Sequence, residues 1–564
     1  MVNQHFNLVT EPWIKVIVAT SGETSTVSLK ELFANAQNYR QLAGDMRAQD
    51  FAVMRLLLAI LHTVYSRYDA AGNAYDWLKL DDTTMQVTDD YSEDEEFNED
   101  LLTTWSNVFE AGKFSEIVQR YLATYEDAFD LFGDRPFYQV TSEEYDNVVP
   151  AKKRVATGTG TVAIKQINRL ISESANTPDI FTPKTNDYKN EIGNDELTRW
   201  LIMYQNFTGV TDKTKVVTDD KYSTPAGWAY RLNPVYVQGK SVFETLMLNL
   251  VMVNQYSDSE TYAVQHPVWE TTSNLAYIDN RKKMNKPDNL AELYTTWSRV
   301  LHIEWNEDDS PIIFSAGLPI FDTTESFIEP MTTWRWNKKD KEYKPAMKGT
   351  RSLGRAMWRN FGEYVNVYHE DDYHEPGVVS WTRFLKERDK IDDDKQLTLA
   401  SVALISDGNA TSQSPVAEVV DDMSVNADVL FDDKGSQRWP TRIEDVIDKS
   451  QQIGKDYWSY VSTIARIRNL SSSDFASRES GKFYEHLNEP FREWLGSLTN
   501  QDNRDDKVNE WKQQLQQIVL QCAEQFRQLT TPRDIKGIIN DKGEQENAFT
   551  AFNWLKRNVN KDLK

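Results

Sequence analysis

The sequence predicts a mixed α+β protein, with a large body running to about residue 435 and a helical bundle after it. Three observations carry this reading. Up to that point, strand-like runs such as "SPIIFSAG" and "MTTWRW" are interspersed with helical patterns. Beyond "RWPTRIEDV" the chain becomes four successive helical patterns (442–470, 476–498, 505–529 and 546–558) separated by polar or Pro/Gly-containing breaks. Finally, 564 residues are too many for one ordinary core, so two or more domains are expected.

The elements follow in order. "FNLVTEPWIKVIV" alternates as a strand or hairpin arm, with Pro12 placing a turn or edge near its start. "SLKELFAN" reads as a short helix capped by Ser28, with Glu31 three residues on. Residues 48–68 form a strong helix with Asp50 as a plausible cap. Its apolar residues are dense enough to bury most of its circumference, and His62 reads as a packed core histidine. Residues 81–100 hold ten acidic side chains and no basic one, and are expected as a solvated loop or insertion. Helix returns over 101–129 with a break at Gly112, and Gly133 and Pro136 punctuate the turn that follows. Residues 150–230 hold two long polar connectors around the helix "ELTRWLIMYQNFTG", an arrangement that points to function or to surface insertions. "KSVFETLMLNLVMVN" is a helix capped by Ser241 with Glu244, and "NLAELYTTWSRVLHIEW" passes from helix to strand. In the last part, Val508, Trp511, Leu515, Ile518, Val519, Cys522 and Phe526 recur at three- and four-residue steps, one apolar stripe suited to a bundle.

Composition narrows the function classes. A single cysteine, Cys522, excludes an intrachain disulfide and any cysteine-based zinc or iron–sulfur site, and fits a reducing, cytoplasmic setting. The start lacks a signal-peptide pattern, and the longest apolar run, "VMRLLLAILHTV", is interrupted by Arg55 and His62, so a soluble protein is expected. The net charge of −24 argues against wholesale wrapping of nucleic acid. Local contact stays open, because residues 338–359 carry eight basic side chains against Asp340 and Glu342, a net of +6. Such a segment either meets a partner of opposite sign or is a solvated face beside an acidic neighbour.

Catalytic patterns are sparse. The seven histidines form no His-Glu-x-x-His spacing, and "YHEDDYHEP" (His369, Glu370, Asp371, Asp372, His374) is the one local metal-like cluster. With 87 carboxylates in the chain, such neighbours arise by chance. "GTGTVAIKQ" lacks the spacing of a nucleotide-binding loop, although a tight turn there would present backbone N–H groups to phosphate. No enzyme, metal or cofactor is expected. A binding role fits better: besides the basic segment, "SDGNATSQSP" offers Gly408 for a left-handed position, Asn409 and Ser412 for local capping, and Gln413 with an uncharged head that both donates and accepts. A scaffold without nucleic-acid contact and, more remotely, a hydrolase using His369 to His374 are the competing readings.

The order of "FNLVTEPWIKV", "SLKELFANAQNYRQLAG", "DFAVMRLLLAIL", "HPVWE" and "LYTTWSRVLHIEW" resembles the large-subunit family (CasA, or Cse1) of Cascade, the type I-E CRISPR surveillance complex, over essentially the whole chain. The resemblance implies a mixed domain over 1–435 and a C-terminal four-helix bundle over 436–564. It also implies a non-catalytic subunit that reads the protospacer-adjacent motif of double-stranded DNA from the minor groove. Such a subunit wedges the duplex open for R-loop formation and helps recruit a helicase–nuclease. Its partners would be the other Cascade subunits, the CRISPR guide RNA and target DNA. By the same resemblance, Gln413, flanked by Ser412 and Ser414, is the wedge. Asn176, Thr177, Phe181 and Lys184 lie on a loop near the guide RNA and first target bases. Lys213, Lys215, Lys221 and Gly227 fall on the loop that approaches the groove. Lys338 and Lys339 stand near the family's mid-chain DNA-contacting lysine, and with Lys341 and Lys344 they are candidate phosphate contacts.

Overall fold

The structure is a computed structural model. It describes residues 5–88, 95–157, 160–169, 191–209, 212–219, 221–222, 226–253, 265–307, 310–322, 324–365, 367, 372–406, 415–435, 437–528, 531–540 and 543–564. The architecture is mixed α+β, as the sequence predicts, and resolves into two compact units. One comprises Met1–Arg351, Asp372–Phe384 and Ala400–Val420; the other comprises Ser352–Asp371, Leu385–Leu399 and Asp421–Lys564.

In the first unit, strand β1 (Ile14–Val18) pairs antiparallel with β2 (Thr24–Val27) on one edge and, beyond helix α1 (Leu29–Asn35), with β3 (Tyr39–Leu42) on the other. The Ser28 hydroxyl accepts the Glu31 N–H at 3.1 Å, the expected cap of α1. Helix α2 (Arg47–Tyr65) is buried on almost every face. It begins earlier than its apolar pattern suggests, and Asp50 is not its cap: Met46 holds that position, and the Asp50 carboxylate reaches back to the Gly44 N–H at 2.7 Å. His62 is a neutral core histidine, its imidazole pKa pushed down to about 3 by burial and its ring meeting the Tyr294 ring.

A buried ion pair centres on α2. Arg55 Nη1 donates to both carboxylate oxygens of Glu329, at 3.0 and 2.9 Å, and both side chains are wholly shielded from solvent. The same carboxylate accepts from Trp228 Nε1 at 2.6 Å and from the Met331 N–H at 3.0 Å, while the Arg55 guanidinium lies 4.2 Å from the Tyr294 ring centre.

Helix α3 (Glu95–Ala111) starts inside the acidic run, so the expectation of a loop over 81–100 fails for its last part. The partial positive charge at a helix start accommodates carboxylates there, which makes an acidic stretch compatible with a first turn. Gly112, at φ +66°, ends α3 before α4 (Glu116–Thr124). The unit continues through α5 (Ser142–Val148), α6 (Asn194–Phe207), β4 (Val235–Gln238), α7 (Val242–Asn249), α8 (Asn274–Lys282) and α9 (Leu290–Thr295). Ser241 caps α7 through the Glu244 N–H, as its sequence indicates. Strands β5 (Arg299–Trp305) and β6 (Pro311–Gly317) form an antiparallel pair. Strand β7 (Trp334–Asn337) lies between β8 (Glu342–Pro345) and a two-residue β9 (Tyr373–His374). Helix α10 (Phe361–Val365) belongs to the second unit; after it in the chain come α11 (Gly377–Glu387) and the long strands β10 (Gln396–Ser406) and β11 (Pro415–Asn426), with β10 between β11 and β4 in the sheet.

In the second unit, α12 (Ala427–Leu430) leads into the long helices α13 (Trp439–Arg468), α14 (Ser472–Gly496), α15 (Arg504–Gln528) and α17 (Ala548–Asp562). A short α16 (Pro532–Lys536) and the strand pair β12 (Ile538–Ile539) and β13 (Gln545–Glu546) lie between the last two. Helix α13 packs against α14, α15 and α17, and the result is a helical bundle. Its interior is aromatic: Trp358 stacks on Phe491 at 4.2 Å, Phe491 meets Trp511 edge-on at 5.0 Å, and the Trp511 indole donates to Ser450 Oγ at 2.9 Å. Helix α14 runs through Pro490, which forfeits one backbone bond while Phe483, Leu487, Phe491 and Trp494 keep the face buried on both sides of it. Cys522 is buried on α15, and burial pushes its thiol up to about 11. No described helix is long and apolar enough to cross a membrane.

Candidate nucleic-acid interface

A basic concavity of about 660 Å³ lies in the first unit; Lys152, Lys153, Lys213, Lys215 and Lys221 contribute to it, and Asp212 is the one acidic residue among the described residues of its wall. Two stretches of chain build it. After α5 the backbone turns through a short 3-10 helix, Ala151–Lys153, which leaves Lys152 and Lys153 exposed. Residues 214–217 lie alongside β6: Gly317 donates its N–H to the Thr214 carbonyl at 2.9 Å, and Val216 donates to the Gly317 carbonyl at 3.1 Å. The Val217 N–H then bonds the Val148 carbonyl at 2.8 Å, and this ties the second lysine-bearing stretch to the end of α5 and so to the first.

The lysines divide by role. Lys215 is half-buried; its ammonium donates to the Tyr222 carbonyl and sits 4.7 Å from that ring's centre. Tyr222 in turn donates its hydroxyl to the Gly317 carbonyl at 2.7 Å, and burial raises its pKa. This pair fixes the cleft wall. Lys152, Lys153, Lys213 and Lys221 are exposed, and no carboxylate of a described residue pairs with them. Four ammonium groups without an ion pair to a described residue, on one concave wall, suit a polyanion backbone, which each can meet as a point charge.

Of the groove-loop candidates, the structure thus brings Lys213, Lys215 and Lys221 together and adds Lys152 and Lys153. The sequence carried a signal for the added pair, three consecutive basic residues in "AKKRV", but nothing local linked them to a segment sixty residues on. Gly227 is placed differently. It is buried, donates its N–H to the Thr208 carbonyl at 2.8 Å, and a Cβ there would stand 2.2 Å from the Asn206 carbonyl oxygen. Glycine is required by that close approach to the end of α6.

The second set of basic candidates lies on the β7–β8 hairpin. Lys338 pairs with Asp372 at 3.2 Å, and Lys344 pairs with Asp340 and, at 2.9 Å, with Glu342. Those two carboxylates raise the pKa of Lys344, Asp340 first. Lys339 and Lys341 are exposed at the turn, without an ion pair to a described residue. Half of this cluster is therefore already neutralised by its own neighbours. The phosphate-binding turn considered at "GTGTVAIKQ" is engaged elsewhere in its described part: Thr161 and Val162 both direct their N–H groups to the Ile313 carbonyl. Of the metal-like cluster, Asp372 serves Lys338, and His374 packs against the Tyr343 and Phe327 rings; His369, Glu370 and Asp371 lie outside the described residues. So do Ser412, Gln413, Ser414, Asn176, Thr177, Phe181 and Lys184.

A mixed α+β unit joined in one chain to a bundle of long helices is a fold shared with CRISPR-associated proteins of known structure. Cse1 from Thermobifida fusca superposes with a TM-score of 0.77 at 21% identity, covering 99% of this chain and 98% of that one. Cse1 from Acidimicrobium ferrooxidans gives 0.71 at 20% identity, covering 100% and 99%. A chain of a CRISPR RNA-guided surveillance complex gives 0.60 at 12% identity, covering 98% and 99%. The chain belongs to the CRISPR-associated protein Cse1 family, whose sequence model matches residues 7–522. Among curated proteins, CasA/Cse1 of Thermus thermophilus is 21% identical over 362 residues; the match spans 64% of this chain and 60% of that relative's length.

Proposed function

We propose that this chain is the non-catalytic large subunit of an RNA-guided type I-E CRISPR surveillance complex, assembled with the other Cascade subunits and the guide RNA. In this reading it recognises the protospacer-adjacent motif of double-stranded DNA, mainly through the minor groove. It then wedges the duplex to start the R-loop and helps recruit the helicase–nuclease. Residues 1–435 carry recognition and 436–564 form the four-helix bundle. The observation that carries the reading is the lysine-lined cleft on the mixed unit of a Cse1-family chain whose total charge is −24. A local basic wall retains phosphates while the acidic remainder disfavours stray binding.

The mechanism follows from duplex energetics. Minor-groove edges are degenerate between A·T and T·A, so a reader of that face tolerates several related motifs. Inserting a side chain between base pairs costs a few kcal/mol of unstacking, which contacts to the opened duplex offset. Once the first pairs part, RNA–DNA pairing replaces DNA–DNA pairing at nearly balanced free energy, so initiation is the step that needs protein. Gln413 is the proposed wedge. It lies in the connection between β10 and β11, adjacent strands of one sheet. Asn176, Thr177, Phe181 and Lys184 are proposed to meet the guide RNA or the first target bases.

The test uses the assembled complex on targets with varied flanking motifs. Gln413→Ala is expected to slow R-loop formation by roughly tenfold or more, corresponding to a loss of about 1.4 kcal/mol or more from the opening step, with little change in initial docking. Motif-independent R-loop formation by the wild type would remove the recognition role. Unchanged opening by Gln413→Ala alone would remove only the wedge.

A further inference from the structure

His266, Asp288 and Glu292 converge in the first unit, away from the lysine cleft, and each offers a ligand atom within 4.8 Å of the other two. They come from two segments: the stretch entering the turn at Val268–Glu270, and the start of α9. Asn289, itself buried, holds the two segments together. Its carboxamide oxygen accepts the His266 N–H at 3.2 Å and the Glu292 N–H at 2.9 Å, so the backbones of two of the three residues are fixed by one side chain. The neighbouring chain is equally tied. The Gln265 carbonyl accepts from Arg67 at 2.6 Å, and the Gln265 side-chain oxygen accepts the Ala291 N–H at 3.1 Å.

The spacing has a chemical meaning. His266 Nε2 stands 3.4 Å from Asp288 Oδ1, a loose ion pair, and the same oxygen accepts from the Asn289 amide at 2.8 Å, the amide nitrogen lying 3.1 Å from His266 Nε2. A tetrahedral ion with bonds of about 2.1 Å separates its ligand atoms by about 3.4 Å. Glu292 has the side-chain length to close the remaining gap by rotation. One imidazole and two carboxylates supply two negative charges and a nitrogen donor. That combination suits a borderline divalent cation of the zinc class, whereas magnesium and calcium call for an all-oxygen set of higher number.

We infer that His266, Asp288 and Glu292 form a binding site for a zinc-class divalent cation that clips the 265–270 segment to α9, with water completing the coordination. The clip is independent of the DNA-binding reading, since none of its residues lines the lysine cleft. Titration of the chelator-stripped full chain with Zn²⁺, read by calorimetry, tests it. Tightest binding is expected at one ion per chain, weakened roughly tenfold or more in His266→Ala and in Glu292→Gln, with His486→Gln, at an exposed histidine elsewhere, unchanged. Co²⁺ bound at the same stoichiometry should give the visible absorption of a low-coordinate site, lost in His266→Ala. Equal affinity and stoichiometry in wild type, His266→Ala and Glu292→Gln would overturn the site. Displacement of Zn²⁺ by equimolar Mg²⁺ would overturn the class of ion.

Discussion

Glu329→Ala is expected to lower the stability of the mixed unit by about 3–5 kcal/mol, the typical loss when one member of a buried ion pair is removed. The size follows from what the carboxylate serves. Arg55, Trp228 and the Met331 backbone all donate to it, and neither charged side chain reaches solvent. Truncation leaves a guanidinium on α2 without its counter-charge, in a core where water cannot replace it. Denaturant unfolding followed by tryptophan fluorescence measures the change as a lower midpoint of the transition that reports this unit. Replacing both partners with apolar residues, Arg55→Met with Glu329→Leu, is expected to recover most of the loss, because it removes the stranded charge as well as the pair. A loss below about 1 kcal/mol for Glu329→Ala would mean that water reaches the guanidinium after all.

The second large effect concerns DNA. In the assembled complex, Lys152→Ala, Lys153→Ala, Lys213→Ala and Lys221→Ala combined are expected to weaken duplex binding by roughly a hundredfold at low salt. The slope of log K against log salt should become shallower by up to about four, near one unit for each phosphate contact removed. Lys215 is left in place because its ammonium holds Tyr222 and the cleft wall. The corresponding set on the β7–β8 hairpin, Lys338, Lys339, Lys341 and Lys344, should change the slope by no more than about two, since Lys338 and Lys344 already hold carboxylate partners. Equilibrium binding across a salt series distinguishes the two surfaces. A steeper loss from the hairpin set would move the phosphate-binding role there.

These contrasts show what the sequence makes legible. Helix α2 and the bundle helices are long and strongly periodic, and their residue types dictate burial wherever the chain places them. Ser28 and Ser241 cap helices as read because a cap is a local hydrogen bond within one turn. Asp50 and Pro490 depart from local expectation for tertiary reasons. Gly44 folds back onto the first turn of α2, and a buried aromatic face accompanies α14 as it continues through its proline. The cleft was half visible: Lys213, Lys215 and Lys221 share one segment, but their juxtaposition with Lys152 and Lys153 depends on the Val217–Val148 backbone bond, which no periodicity encodes. The hairpin basic run misled in the opposite sense. Its charge count is correct, yet the register that sets Asp340, Glu342 and Asp372 beside it cannot be summed from composition.

Cys522 gives the molecule a built-in reporter. It is the chain's one thiol, enclosed on α15 and disfavoured as a thiolate by that enclosure. A thiol-directed reagent therefore has a single native target and reaches it when the helices around α15 part. With reagent in excess and closing faster than reaction, the labelling rate divided by that of the unfolded chain gives the fraction of time the bundle stands open. Comparing this fraction in the free chain and in the assembled complex would measure how much assembly steadies the bundle, without introducing a probe or altering a residue.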